Sequence, residues 1–139
     1  MIEFDNRTLL NLHTEVIELI ASSLIDKEIE LIVTDEDEMR EINKTHRNIN
    51  KATDVLSFPY VEMPLSPLGS IVICSLHVEE KSKEFGHTAD DEFALLFIHG
   101  LLHLLGYDHE VDGGEMREEE ARIIKEFNLP QSLIIRTEG

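Results

Sequence analysis

The chain has 139 residues, 42% of them hydrophobic, which suits one soluble globular domain with a substantial core. Its formal net charge of -17 repels polyanions at long range, whereas nucleic-acid binders usually carry net positive charge. No apolar run reaches the roughly 20 residues that span a bilayer, and the start MIEFDNR shows no signal peptide. A lone Cys74, inside the apolar run IVIC, excludes an internal disulfide and fits a reducing cytoplasm.

In chain order, Ile2–Phe4 reads as a short edge strand. Leu9, Leu12, Val16, Ile20 and Leu24 then recur at helical spacing, predicting an amphipathic helix to about Ser23. Across Glu28–Thr34, Ile29, Leu31 and Val33 alternate with Glu28 and Glu30, the pattern of a half-buried strand. Thr34 and Asp37 have capping-box spacing, predicting a helix from Asp35 to about Lys44 with Met39 and Ile42 inward. Val55–Tyr60 is a strand stopped at or just after Pro59, and MPLSPLG is a proline-rich loop. Ser70–Cys74 is an internal strand rich in β-branched residues. A helix from about Leu76 to Glu84 ends at Gly86, and Thr88 with Asp91 repeats the capping-box spacing to open another. Asp112-Gly113-Gly114 is a turn, and Met116, Ile123, Ile124 and Phe127 mark a last amphipathic helix ended before Pro130. Strands and helices mix without strict alternation. The expected class is α+β, a small sheet of about four strands with about five helices, one of them buried.

That buried helix carries the chemistry. From Phe93 to Leu105 almost every side chain is apolar, yet His99 and His103 interrupt the run. Residues four apart share one helix face, so both imidazoles can reach one metal ion. Gly106 accepts the left-handed conformation that often ends a helix, and the chain can then return His109 as a third ligand. Three neutral imidazoles leave one position open on a tetrahedral zinc, as in catalytic sites. They also suit nickel, copper or iron. The structural alternative is two core histidines bonded to backbone and a surface His109. Burying imidazoles without a partner is costly, and a metal would satisfy them.

The spacing of His99, His103, Gly106 and His109 resembles the long zinc-protease signature, H-E-x-x-H-x-x-G-x-x-H. Gly100 stands where that signature has its glutamate base. A helix-interior glycine costs about 1 kcal/mol relative to alanine, which suggests that space is needed beside the metal. Asp108, Glu110 and Asp112 are nearby acids that could substitute as a base, but nothing in the sequence places them there. Acidic residues concentrate in Glu28–Glu41 and Glu110–Glu120, while Arg40, Lys44, Arg47 and Lys51 cluster before the second strand motif. These four would align on a helix, either as a cationic surface or as a solvated face balancing the acids before it.

The segment HRNINKATDVLSFPY, His46 to Tyr60, joins HGLLHLLGYDH, His99 to His109. Together they resemble the YbeY family of bacterial endoribonucleases that mature ribosomal RNA, with the motifs in family order across nearly the whole chain. The resemblance implies one metal-dependent endoribonuclease domain over residues 1–139, with His99, His103 and His109 as ligands of a single zinc. It also implies Arg47 as the catalytic arginine, a cytoplasmic location and single-stranded RNA as substrate. Thr53, Asp54 and Ser57 fall in the TDVLSFP segment and, with Lys44 and Lys51, are candidates to bind substrate. One departure stands out: Gly69-Ser70 replaces the family's usual Gly-Asp, which puts in doubt any contact that carboxylate makes to metal or substrate.

Arg47 suits phosphate, because guanidinium offers a planar fork to it. His46 and Phe58 could stack on bases, Lys81 and Lys83 could add charge, and His13, His77 and His87 form no constellation. With so few cations the salt dependence of RNA binding should be shallow, about -0.7 per neutralised phosphate. The reading that follows is a zinc-dependent, single-strand-specific endoribonuclease for 16S rRNA 3′-end maturation and ribosome biogenesis or quality control. Its partners would be rRNA and ribosomal proteins, with neither DNA nor a membrane. The rivals are a zincin-like hydrolase of small esters or peptides, which Gly100 disfavours, and a non-catalytic ribosome-assembly factor with a structural zinc.

Overall fold

A computed structural model describes residues 1–61, 63 and 65–138. The elements are β1 (Ile2–Asn6), α1 (Glu15–Leu24), β2 (Ile29–Thr34), α2 (Glu36–Arg47), β3 (Val55–Pro59), β4 (Gly69–Cys74), α3 (Ser75–Phe85), α4 (Ala89–Leu104), α5 (Glu115–Glu126) and α6 (Ser132–Glu138). The class is α+β: a four-stranded mixed sheet in the order β1-β2-β4-β3. β1, β2 and β4 run parallel, and β3 lies antiparallel to β4 on one edge.

The residue types explain the layers. β4 reads GSIVIC and is buried along its whole length, as expected of a central parallel strand covered on both faces. Ile71 and Ile73 join Leu31 and Val33 under α1 and α4. Val72 and Cys74 point the other way, with Leu56, against Met39 of α2. Cys74 is therefore a buried free thiol, and burial raises its pKa. Ser70 shares the parity of Val72 and Cys74, so it sits on the sheet face away from α4. The missing carboxylate at that position thus falls outside the histidine side of the sheet.

α4 is buried almost all round, with Phe93 and Phe97 fully enclosed. Its N-terminus carries the expected capping box: Thr88 Oγ1 accepts from Asp91 N at 3.1 Å and Asp91 Oδ2 from Thr88 N at 3.2 Å. The other predicted box does not form. Asp35, one residue later, caps α2 by accepting from Glu38 N at 2.8 Å. Thr34 stays in β2 and donates its hydroxyl to Glu38. The better cap lay one residue on, and the strand ladder already claimed Thr34.

Three further expectations are corrected. α1 starts at Glu15 rather than near Leu9, which is fully exposed. Asn6 Oδ1 accepts from Thr8 N at 3.0 Å and Asn6 Nδ2 donates to Leu10 O at 2.8 Å. These local side-chain bonds compete with helix formation there. A sixth helix, α6, follows Pro130. It is too short for a periodic signal and is held by Leu133, which is fully buried. The first strand runs on to Asn6 because every residue of it pairs in register with β2. Pro64 of the predicted loop lies outside the described residues. Among those residues no helix is long and apolar enough to cross a membrane.

Gly100 is explained by packing. A Cβ there would lie 2.8 Å from Ile71 Cγ2 and 3.1 Å from Ser57 Oγ. The glycine therefore makes room for the sheet and not, as expected, for space beside a metal. Gly100→Ala would gain about 1 kcal/mol of helix propensity but overpack the α4–sheet contact at about 1–3 kcal/mol. We expect a net loss of stability in urea unfolding of the metal-free protein; a more stable variant would contradict the packing role.

Candidate metal centre and cleft

The helix end shapes the centre. Gly106 has φ +101°, and the backbone closes by a Schellman pair, Gly106 N to His103 O and Tyr107 N to Leu102 O, both 3.0 Å. That reversal aims the carbonyl of Tyr107 back at His103, whose Nδ1 donates to it at 3.0 Å. A carbonyl cannot donate, so the neutral ring carries its proton on Nδ1 and presents a bare Nε2. His99 Nδ1 lies 2.8 Å from Glu120 Oε1 on α5, which orients its Nε2 the same way.

The two Nε2 atoms face each other at 3.1 Å. Two lone pairs at that distance repel unless a cation lies between them. The next turn brings His109 in, its ring 5.1 Å from His99 and 5.4 Å from His103. One ligand atom from each of the three lies within 4.8 Å of the others. Tetrahedral zinc, with bonds of about 2.0–2.1 Å, sets ligand nitrogens about 3.3 Å apart. The donor set and the carboxylate and carbonyl behind it are those of a metal centre that could accept zinc.

The triad opens into a cleft of about 940 Å3. Its wall includes β3, with Ser57, and the residues just before it, Thr53 and Asp54. Ser57 Oγ donates to Gly100 O at 3.0 Å, tying β3 to the histidine helix. Arg47 is the last residue of α2 and is exposed at the cleft. The helix stops there because Asn48 takes the left-handed conformation, φ 58°. Arg47 makes no ion pair among the described residues. His46 and Phe58 also line the cleft, with ring centroids 5.0 Å apart.

The other sequence candidates lie elsewhere. Lys44 and Lys51 are exposed but outside the cleft wall. Arg40 pairs with Asp37, Lys81 with Glu84, and Lys83 lines a separate groove. Asp108 and Glu110 reach the cleft. Asp112 does not: its carboxylate accepts from Gly114 N and Met116 N at the start of α5, which holds its pKa below the ordinary range. His13 binds Asp90 at the surface, and His87 is buried against Glu92.

Sequence reasoning missed Glu120, Arg117 and Arg136, all of which line the cleft. Glu120 had a legible signal. It falls four residues after Met116 and three before Ile123, on the apolar stripe of α5, and it is buried. A carboxylate on that stripe requires a polar partner.

An α+β fold with two helix-borne histidines and a third from the following turn, beside a cleft, defines a protein class with a candidate metal centre. The family model Endoribonuclease YbeY matches residues 1–128. The chain belongs to that family. It is 88% identical over 139 residues to a Sulfurimonas denitrificans protein named endoribonuclease YbeY, covering 100% of both chains. It is 50% identical to one of that name from Helicobacter pylori, covering 99% of each. The solution structure of a Thermotoga maritima protein superposes with a TM-score of 0.63 at 32% identity, covering 91% of this chain and 89% of that one.

Glu120→Gln keeps the shape but weakens the acceptor behind His99. Metal affinity should fall about 10- to 100-fold in competition with a chromophoric chelator; unchanged affinity would remove Glu120 from the centre. A second expectation concerns pH. Burial, with His99 and His109 close by, lowers the His103 pKa from its ordinary 6.5. The metal-free folded chain therefore binds that proton less readily than the unfolded chain. The effect is absent above about pH 6.5, grows as pH falls below that value and levels off below the lower folded pKa. Between about pH 7.5 and pH 5.5, wild type should lose more thermal stability than His103→Gln; equal losses would contradict this.

Proposed function

We propose that this chain is a zinc-dependent endoribonuclease that cuts single-stranded RNA. We place it in ribosomal RNA processing, at 16S 3′-end maturation, and in ribosome biogenesis and quality control in the cytoplasm. One observation carries the reading. The histidine triad, with its orienting carboxylate and carbonyl, shares a cleft with the guanidinium of Arg47, which has no ion pair among the described residues. Family membership supports the same assignment.

A bound zinc would supply Lewis acidity toward a phosphoryl oxygen or a water. The chain's own residues do the rest. His99, His103 and His109 hold the ion, and Glu120 and Tyr107 keep the imidazoles in the tautomer that can do so. A phosphodiester transition state spreads charge over its non-bridging oxygens, so cationic positioning carries much of the catalysis. Arg47 meets that need with a two-pronged donor. Thr53 and Ser57 offer hydroxyls along the wall, and His46 with Phe58 forms an aromatic ledge for a base.

The peptidase rival loses its ground at Gly100, where the sheet fills the place a glutamate would need. The structural-zinc rival needs a fourth protein ligand, and the cluster among the described residues has three members.

Purified wild type, His103→Ala and Arg47→Ala would be compared for bound metal by mass spectrometry and for cutting of a labelled single-stranded rRNA fragment. Wild type should hold one zinc and cut. His103→Ala should lose both properties. Arg47→Ala should keep the metal and lose activity by about 100-fold or more. Equal cutting by all three would overturn the nuclease reading in favour of an assembly factor.

A further inference from the structure

α6 lies beyond the span matched by the family model, residues 1–128, yet it puts a side chain into the cleft. Arg136 Nη2 lies 3.2 Å from Asp54 Oδ2, and its Nε lies 3.3 Å from Glu92 Oε2. Glu92 is fully buried, and its other oxygen meets His87 Nε2 at 2.8 Å. His87 Nδ1 returns to Ser132 Oγ at 2.9 Å. The network therefore begins and ends on α6, and its outer end is the Asp54 carboxylate.

Asp54 holds the start of the cleft wall. Its Oδ1 accepts from Val55 N at 2.8 Å, and its backbone carbonyl accepts from Cys74 N at 2.9 Å. Asp54 and Arg136 both face the space that holds the triad and Arg47. An isolated carboxylate there would repel an RNA phosphate at short range. A guanidinium bonded to it cancels that charge and fixes the oxygen's direction. Arg136 has two carboxylate partners already and is only 18% exposed, so it is poorly placed to bind phosphate itself.

We propose that Arg136 is a positioning residue for RNA binding, acting through Asp54, and that α6 is thereby a working part of the cleft. The inference rests on the nuclease reading for its substrate class. Its mechanism is specific: Arg136 neutralises and orients Asp54 so that the β3 edge admits a phosphodiester chain.

The test is a double-mutant cycle on binding of a non-cleavable 2′-O-methyl single-stranded RNA by the metal-loaded full chain. Arg136→Gln should weaken binding about tenfold, with a larger effect on KM than on kcat in the matching cleavage assay. In an Asp54→Asn background the same substitution should change binding less than twofold, because the charge it cancels is gone. Arg136→Lys should recover part of the loss. The salt slope should stay unchanged, whereas loss of a direct phosphate contact would reduce it by about 0.7. Glu92→Gln with Arg136→Gln removes both partners of the buried pair and guards against a fold defect, and it should bind as weakly as Arg136→Gln alone. Additive effects of Arg136→Gln and Asp54→Asn, a reduced slope, or unchanged binding in Arg136→Gln would overturn the proposal. Wild type that binds RNA without cutting it would instead overturn the nuclease reading and leave the cycle decisive.

Discussion

Two bare imidazole nitrogens face each other at 3.1 Å at the solvent end of a helix that is otherwise buried. That contact is unfavourable without a cation, and the surrounding structure maintains it. The body of α4 is held by core packing on both the sheet and the outer helices. The Schellman close at Gly106 fixes where the chain turns back. Glu120 and the Tyr107 carbonyl take the only protons that neutral His99 and His103 can offer. Relaxing the repulsion would mean breaking those bonds or shifting a packed helix, so the fold keeps the centre ready for a metal.

The same helix places the cleft. Gly100 lets α4 approach β3 and β4 closely enough for Ser57 to bond its carbonyl. The edge strand β3 then lines the cleft with the triad, its outer side free of a neighbouring strand among the described residues. The cleft also gathers charges of both signs. Against a net charge of -17, the cations that line it are the arginines Arg47, Arg117 and Arg136. Arg136 is spent on Asp54 and Glu92, while Arg47 carries no ion pair among the described residues. The carboxylates of Asp54, Asp108, Glu110 and Glu120 line the same cleft, so short-range contacts rather than long-range attraction must select what enters it.

Much of this was legible from residue order. The histidine spacing, the terminal glycine and the apolar run around them require only helix geometry, and all three appear as read. The capping box at Thr88 forms because its two members are local. The one at Thr34 fails because a neighbouring aspartate caps better and the sheet holds Thr34. Leu9 has helical spacing but lies in a loop set by Asn6, since side-chain bonds to nearby backbone outweighed a periodicity of weak propensity. The doubt that Ser70 raised in sequence is answered for the metal alone: two-residue alternation turns it away from α4, to the face where its register partner Phe58 lies.

What the sequence by itself determined, then, is the candidate ligand set: three imidazoles at spacings that one helical turn and one glycine reversal can bring together. Only the tertiary structure decided what stands behind and around them. Glu120 reaches His99 across a helix–helix contact, Arg136 reaches Asp54 from 82 residues away, and Gly100 answers to the sheet. Local chemistry is written in short offsets because helix geometry is periodic. Partners drawn from distant segments depend on how the whole core closes, and no offset in the chain encodes that.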